Sequence, residues 1–169
     1  MRAVSRRPHV LGLHPASGGF GWVLFEEPHS LLDWGTADIR GDKNTVALRR
    51  IASLLDTHRP GVLAMERHEE RGSRRSRRIC LLYIAVIDCA EKREIAVHRF
   101  SRAQISQCHH LKGARTRAEI AAAVAACLRV LRPRLPKPRR IWVGEHAAMP
   151  LFSAAACALT YFEAQRNST

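Results

Sequence analysis

A chain of 169 residues, 46% of them apolar, is long and apolar enough for one domain around one sizeable core, which excludes disorder of the whole chain. Its 28 Lys plus Arg against 15 Asp plus Glu give a formal net charge of +13; a charge this large calls for a polyanion, nucleic acid before an anionic membrane surface. No apolar run approaches the ~20 residues that cross a bilayer, and the basic start lacks the long apolar stretch of a secretory signal.

Residues 9–14, His-Val-Leu-Gly-Leu-His, read as a buried strand stopped by Pro15. Ser17-Gly18-Gly19 is a turn, and residues 20–26 return as the second strand of a hairpin. Residues 31–38 have a weaker apolar pattern that suits an edge strand. From Thr45 to Thr57 the spacing turns helical, with Val46, Leu48, Ile51, Leu54 and Leu55 on one face, until Pro60-Gly61 breaks it. The apolar run 62–65 reads as a buried parallel strand ending at Glu66. Residues 67–78 are polar and Arg-rich and lead into, or begin, a long helix that includes Ile79 to Ala90. Residues 94–99 form another short strand; 101–108 form a short helix capped by Ser101; 109–115 form a loop. Thr116 and Glu119 compose a capping box for a helix to about Arg129. Residues 132–140, with three prolines, read as an extended loop, 141–143 as a short apolar segment, and Pro150 as the first turn of a last helix to about Gln165.

The three early strands should be antiparallel and the later, helix-linked strands parallel, which makes an α/β domain: a mixed five-stranded sheet flanked by helices. Its limits are read as 9–165, between a basic tail at 1–8 and a C-terminal tail at 166–169. Cys80, Cys89, Cys108, Cys127 and Cys157 are odd in number and contain no Cys-x-x-Cys pair, which argues against a disulfide framework or a zinc ribbon and for reduced, mostly buried thiols in the cytoplasm.

Function in such a sheet sits at the ends of neighbouring central strands. Leu13-His14-Pro15 and Met65-Glu66-Arg67 each place a candidate ligand just after an apolar run, and Gly144-Glu145-His146 through Phe152-Ser153 add a third region near the last helix. Phosphodiester cleavage of the metal-dependent kind needs several such ligands around one or two ions.

In these segments the sequence resembles the RuvC-type Holliday-junction resolvases of the ribonuclease-H-like superfamily. The resemblance is carried by Val10-Leu-Gly-Leu-His-Pro with Gly19-Phe-Gly-Trp, by Val62-Leu-Ala-Met-Glu, by Arg74-Arg-Ser-Arg-Arg-Ile, and by Leu151-Phe-Ser-Ala-Ala-Ala-Cys-Ala-Leu-Thr-Tyr-Phe. It implies a ribonuclease-H-like fold, junction DNA as substrate, Mg²⁺ or Mn²⁺ as cofactor, and carboxylates at the ends of the first and fourth strands and on the last helix. Glu66 keeps its carboxylate, whereas His14 and Ser153 stand where Asp is expected, and Glu145 is a second surviving acid. Mg²⁺ prefers oxygen ligands. A set of His14, Glu66 and His146 would suit Mn²⁺ or Zn²⁺ better, and a decayed site that no longer cuts is the competing reading.

Arg71, Arg74, Arg75 and Arg78 follow i, i+3, i+4, i+7 spacing and share one face if helical. Arg suits phosphate through its planar fork. Arg77, the loop Lys112–Arg117 with Lys112 and Arg115, and the stretch Arg132–Arg140 extend the basic footprint. Three readings stay open: a nucleic-acid-binding protein on a resolvase scaffold that recognises branched or duplex DNA, an active metal-dependent endodeoxyribonuclease with altered ligands, and a non-enzymatic assembly partner. Any apolar excess on the last helix, with Leu151, Phe152, Ala155, Leu159 and Phe162, could serve a homodimer.

Overall fold

The computed structural model describes residues 7–69, 74–137 and 146–169. Three strands, β1 (Val10–Ala16), β2 (Gly19–Glu27) and β3 (Ser30–Asp38), precede helix α1 (Lys43–His58), β4 (Val62–Glu66), α2 (Arg77–Glu91) and β5 (Ala96–Phe100). Helices α3 (Arg102–Ser106), α4 (Arg117–Cys127) and α5 (Met149–Asn167) follow, with 3₁₀ turns at His109–Leu111 and Arg129–Arg134. The sheet order is β3-β2-β1-β4-β5. β1, β2 and β3 pair antiparallel, and β4 pairs parallel with both β1 and β5. This is the expected mixed sheet of ribonuclease-H-like type.

Pro15 does not stop β1. It lies near the strand end opposite Phe20, and the ladder runs on to Ala16 opposite Gly19 because only Ser17 and Gly18 separate the two strands. The last helix continues past Gln165 to Asn167. The apolar segment 141–143 and most of the basic tail lie outside the described residues.

The sheet buries both faces. Leu11, Leu13, Leu63 and Met65 pack with Ala47, Ile51 and Leu55 of α1 and Ile79, Leu82, Tyr83 and Val86 of α2. The fully buried stripe of α1 thus runs through Ala47, while Val46, Leu48 and Leu54 flank it partly exposed. Val10, Val23, Phe25, Val62 and Ala64 face α5, which is covered on its far side by α4. Sandwiched in this way, α5 is apolar all round rather than amphipathic. Two glycines let it lie close: a methyl at Gly12 would strike the Ala154 carbonyl, and one at Gly21 the backbone of Pro150 and Leu151.

Candidate functional site

Strand alternation decides which side chains meet. Val10 and Gly12 face α5, so His14 two residues on faces it too; Val62 and Ala64 do the same for Glu66. β1 and β4 are parallel neighbours in a register that pairs Gly12 with Ala64. Their carboxyl ends therefore bring His14 and Glu66 side by side under α5, with His14 Nδ1 3.9 Å from Glu66 Oε2. Both residues are buried, at 4% and 6% exposure. From Met149 to Tyr161 every residue of α5 is buried except Ser153, which is half-buried. Ser153 opens into a cavity of about 100 Å³ that Glu66, Arg102, Arg115 and Arg117 also line. Glu66 and Ser153 thus share one cleft, and His14 lies against its carboxylate.

Arginine dominates that cleft. Arg75 reaches Glu66 Oε2 at 3.0 Å, and Arg102 Nε donates to Glu66 Oε1 at 3.3 Å. The Arg75 guanidinium also donates to the Arg67 carbonyl at 3.1 Å and lies over the Tyr83 ring, 5.3 Å from its centroid. Burial pushes the Glu66 carboxyl up, but the charges of His14, Arg75 and Arg102 and the Arg75 hydrogen bond outweigh it, so its pKa falls below the usual carboxylate value. Burial also disfavours the charged form of Arg75, yet Tyr83 and Glu66 more than restore it. Burial raises the pKa of Tyr83 and of Cys157, the latter on α5, far enough to keep both neutral.

The arginine cluster departs from its expected geometry. Ser76 caps α2 by accepting from Ile79 N, so the helix begins at Arg77, and Arg74 and Arg75 precede it. They do not share a helical face with Arg78, and Arg71 lies outside the described residues. Arg75 turns inward to Glu66. Arg78 donates to Asn44 Oδ1 at 3.0 Å and to the Ser17 carbonyl at 3.1 Å, tying α2 to α1 and to the β1–β2 turn. Arg74 and Arg77 are exposed, as is Lys112. Arg115 lines the cleft with Glu66.

The ligand set departs as well. His146 is exposed, and its Nδ1 accepts from Ala148 N at 3.1 Å at the entry to α5. It does not join His14 and Glu66: among the described residues no three His, Cys, Asp or Glu side chains are grouped so as to hold a metal ion. Glu145 lies outside the described residues. A hard divalent ion needs several oxygen ligands. Among the described residues the cleft offers one carboxylate, Glu66, which already faces two guanidiniums at 3.0 and 3.3 Å, so these residues as placed do not fit such an ion.

Arg102 is the cleft residue that sequence reasoning missed. Its signal lay in topology: β5 pairs parallel with β4 so that Phe100 stands opposite Glu66, and a basic residue two positions beyond Phe100 arrives beside the carboxylate.

No family model matches the sequence. No curated protein matches it significantly. Solved structures do match. Thermus thermophilus RuvC in complex with a Holliday junction substrate superposes with a TM-score of 0.70 at 20% identity over 96% of this chain and 98% of that one. The yeast mitochondrial Holliday junction resolvase gives 0.63 at 15% identity over 93% and 78%. The fowlpox virus Holliday junction resolvase gives 0.56 at 10% identity over 92% and 99%. Over nearly its whole length, the chain has the ribonuclease-H-like fold of the RuvC-type resolvases.

Proposed function

We propose that this chain binds branched or duplex DNA on a resolvase scaffold whose cleavage site has lost its metal. The observation that carries the reading is the occupation of Glu66. The one carboxylate kept at a family position gives both its oxygens to Arg75 and Arg102, and a guanidinium neutralises a carboxylate where a divalent ion would need its charge. The scaffold, the net charge of +13 and the exposed Arg74, Arg77, Lys112 and Arg115 support DNA as the partner, recognised by backbone and shape. The test is equilibrium binding of a four-way junction, a duplex and a single strand of equal length in chelator. Salt-sensitive binding that favours the junction or duplex supports the reading; equal weak binding of all three defeats it.

An active endonuclease is the second reading, favoured by the contact between His14 and Glu66. It requires Arg75 to leave Glu66 so that Mn²⁺ or Zn²⁺ can enter. Assembly as a homodimer completes the proposal. The interior of α5 has no apolar excess to offer, since Leu151, Phe152, Ala155 and Leu159 are buried in the core. Leu81 and Ile84 on the outer face of α2 are 51% and 54% exposed and form the surface a second copy would cover. Sedimentation of the chain and of Leu81→Glu with Ile84→Glu tests this: a dimer that the double variant turns into a monomer supports it, and a monomeric parent refutes it. A non-enzymatic assembly partner would instead use the cleft for protein contacts.

A further inference from the structure

The end of the sheet away from the cleft carries a second cavity, of about 520 Å³. It lies between the start of β1, the β2–β3 turn, the 3₁₀ turn at His109–Leu111 and the last turns of α5, and the imidazoles of His29 and His110 both line it. The two ring centroids are 5.6 Å apart, with the planes at 73°. Each residue is positioned by its backbone. Glu27 pairs with Ser30, so Pro28 and His29 form a two-residue turn on which His29 is exposed. His110 is half-buried. The N–H of His109 before it donates to both Glu163 oxygens, at 2.8 and 2.9 Å, and the His110 carbonyl accepts from Cys127 Sγ at 3.2 Å. Burial, and then the neighbouring His29, lower the His110 pKa below the usual imidazole value, so its ring is neutral at neutral pH, the form that binds a metal. The charge of Glu163 favours a cation at His110, while that of Arg166 opposes one.

We propose that His29 and His110 hold a transition-metal ion between the β2–β3 turn and the 3₁₀ turn, clamping the hairpin to the helical layer. Imidazole nitrogen suits Zn²⁺, Ni²⁺ or Co²⁺, whereas Mg²⁺ takes oxygen. With metal–nitrogen bonds of about 2.0–2.1 Å, two imidazoles on one tetrahedral ion have centroids roughly 5 Å apart. From the observed spacing, a small rotation of the exposed His29 side chain is enough to meet that geometry. Among the described residues no third His, Cys, Asp or Glu is grouped with the pair, and the cavity leaves room for waters in the remaining positions. Both oxygens of Glu163 are taken by the His109 N–H, so its part is charge rather than ligation. The inference is independent of the DNA-binding reading, because the pair stands at the opposite end of β1 and α5 from His14, Glu66 and Ser153.

The test uses the full chain, stripped with chelator and desalted. Zn²⁺ is titrated by calorimetry with Mg²⁺ as the control, and the melting temperature is followed in parallel, since an ion that binds only the folded state raises it by mass action. One Zn²⁺ per chain is expected, with a rise in melting temperature that Mg²⁺ does not produce. His29→Ala and His110→Gln should each weaken Zn²⁺ binding by about tenfold or more, because either variant loses a second ligand held at high effective concentration. His29 lies on an exposed turn, so His29→Ala folds whatever its role, and its metal-free melting temperature should match the parent's. Glu66→Gln, in the cleft, should leave the Zn²⁺ affinity as it is in the parent. Co²⁺ in place of Zn²⁺ should show weak d–d bands without the intense charge-transfer band that a cysteine thiolate would give. Zn²⁺ bound no tighter than Mg²⁺, full affinity in His29→Ala, a thiolate band, or one ion per two chains would each overturn the proposal. Zn²⁺ binding lost in Glu66→Gln but kept in His29→Ala would put the ion in the cleft, against both this proposal and the reading of a cleft without metal. Junction binding that survives while no Zn²⁺ response is found refutes this inference and leaves the DNA-binding reading standing.

Discussion

Arg75 is the residue whose role differs most between surface and interior readings, and Arg75→Met separates them. On a DNA-facing surface the change would leave folding unaltered. In the structure it removes a partner 3.0 Å from a carboxylate whose side chain is 8% exposed. Breaking a buried pair by removing one partner costs about 3–5 kcal/mol; with Arg102 and His14 still facing Glu66, about 2–3 kcal/mol is expected by the same reasoning. For a chain of this size each kcal/mol lowers Tm by about 2–4 °C, so calorimetry should show a fall of roughly 5–10 °C at neutral pH. Glu66→Gln placed on Arg75→Met should recover a good part of the loss, with a coupling of about 2 kcal/mol, because no buried charge is then left without its partner. The pH dependence carries the same signature. The Glu66 pKa is lower folded than unfolded, so its ionised form stabilises the fold above the usual carboxylate pKa, and that contribution fades as pH falls through the lower folded value. The parent should therefore lose stability in acid more steeply than Glu66→Gln. A Tm change under 2 °C for Arg75→Met, or additive single and double variants, would refute the buried pair.

Three further outcomes follow from the same geometry. Gly12→Ala should destabilise by about 1–3 kcal/mol or more in a thermal melt, because its methyl meets the Ala154 carbonyl of α5 and neither backbone can yield cheaply. Arg74→Ala with Arg77→Ala should flatten the slope of log affinity for duplex DNA against log salt by about 0.9 per lost phosphate contact, with Tm unchanged; Arg78→Ala should instead lower Tm, since it ties Asn44 and Ser17 to α2. His14→Asp with Ser153→Asp should make the melting temperature respond to Mg²⁺ or Mn²⁺ only weakly, and adding Arg75→Gln should enlarge the response, because a cation binding the folded state then no longer competes with the guanidinium; a triple variant indifferent to both ions would show that these positions do not converge.

The fold was legible because local signals agreed. The apolar runs at 10–13 and 62–65, the switch to helical spacing after Thr45, and the cap residues Ser101 and Thr116 each announce an element that the structure contains. Strand alternation then carries His14 and Glu66 to the same face, which the sequence suggests once both are placed at strand ends. That an arginine could pair with Glu66 was legible, with the adjacent Arg67 as the first candidate, but which arginines do so was not. Arg75 reads as one more cation in a basic run, because periodicity describes where a helix would point it, and the cap at Ser76 starts the helix only at Arg77, two residues after it. Arg102 becomes visible only after β5 is known to lie beside β4. His146 stands near α5 in sequence, but its imidazole is turned to the backbone of Ala148, a local contact that residue type alone does not reveal.

Cleavage of a four-way junction, measured on the parent chain and on Glu66→Gln with Mg²⁺, Mn²⁺ and Zn²⁺ in turn, tests the central claim most directly. The parent is expected to bind the junction and leave it intact with every ion, and Glu66→Gln to behave alike. Symmetric cleavage by the parent with any of the three ions, abolished in Glu66→Gln, would contradict it.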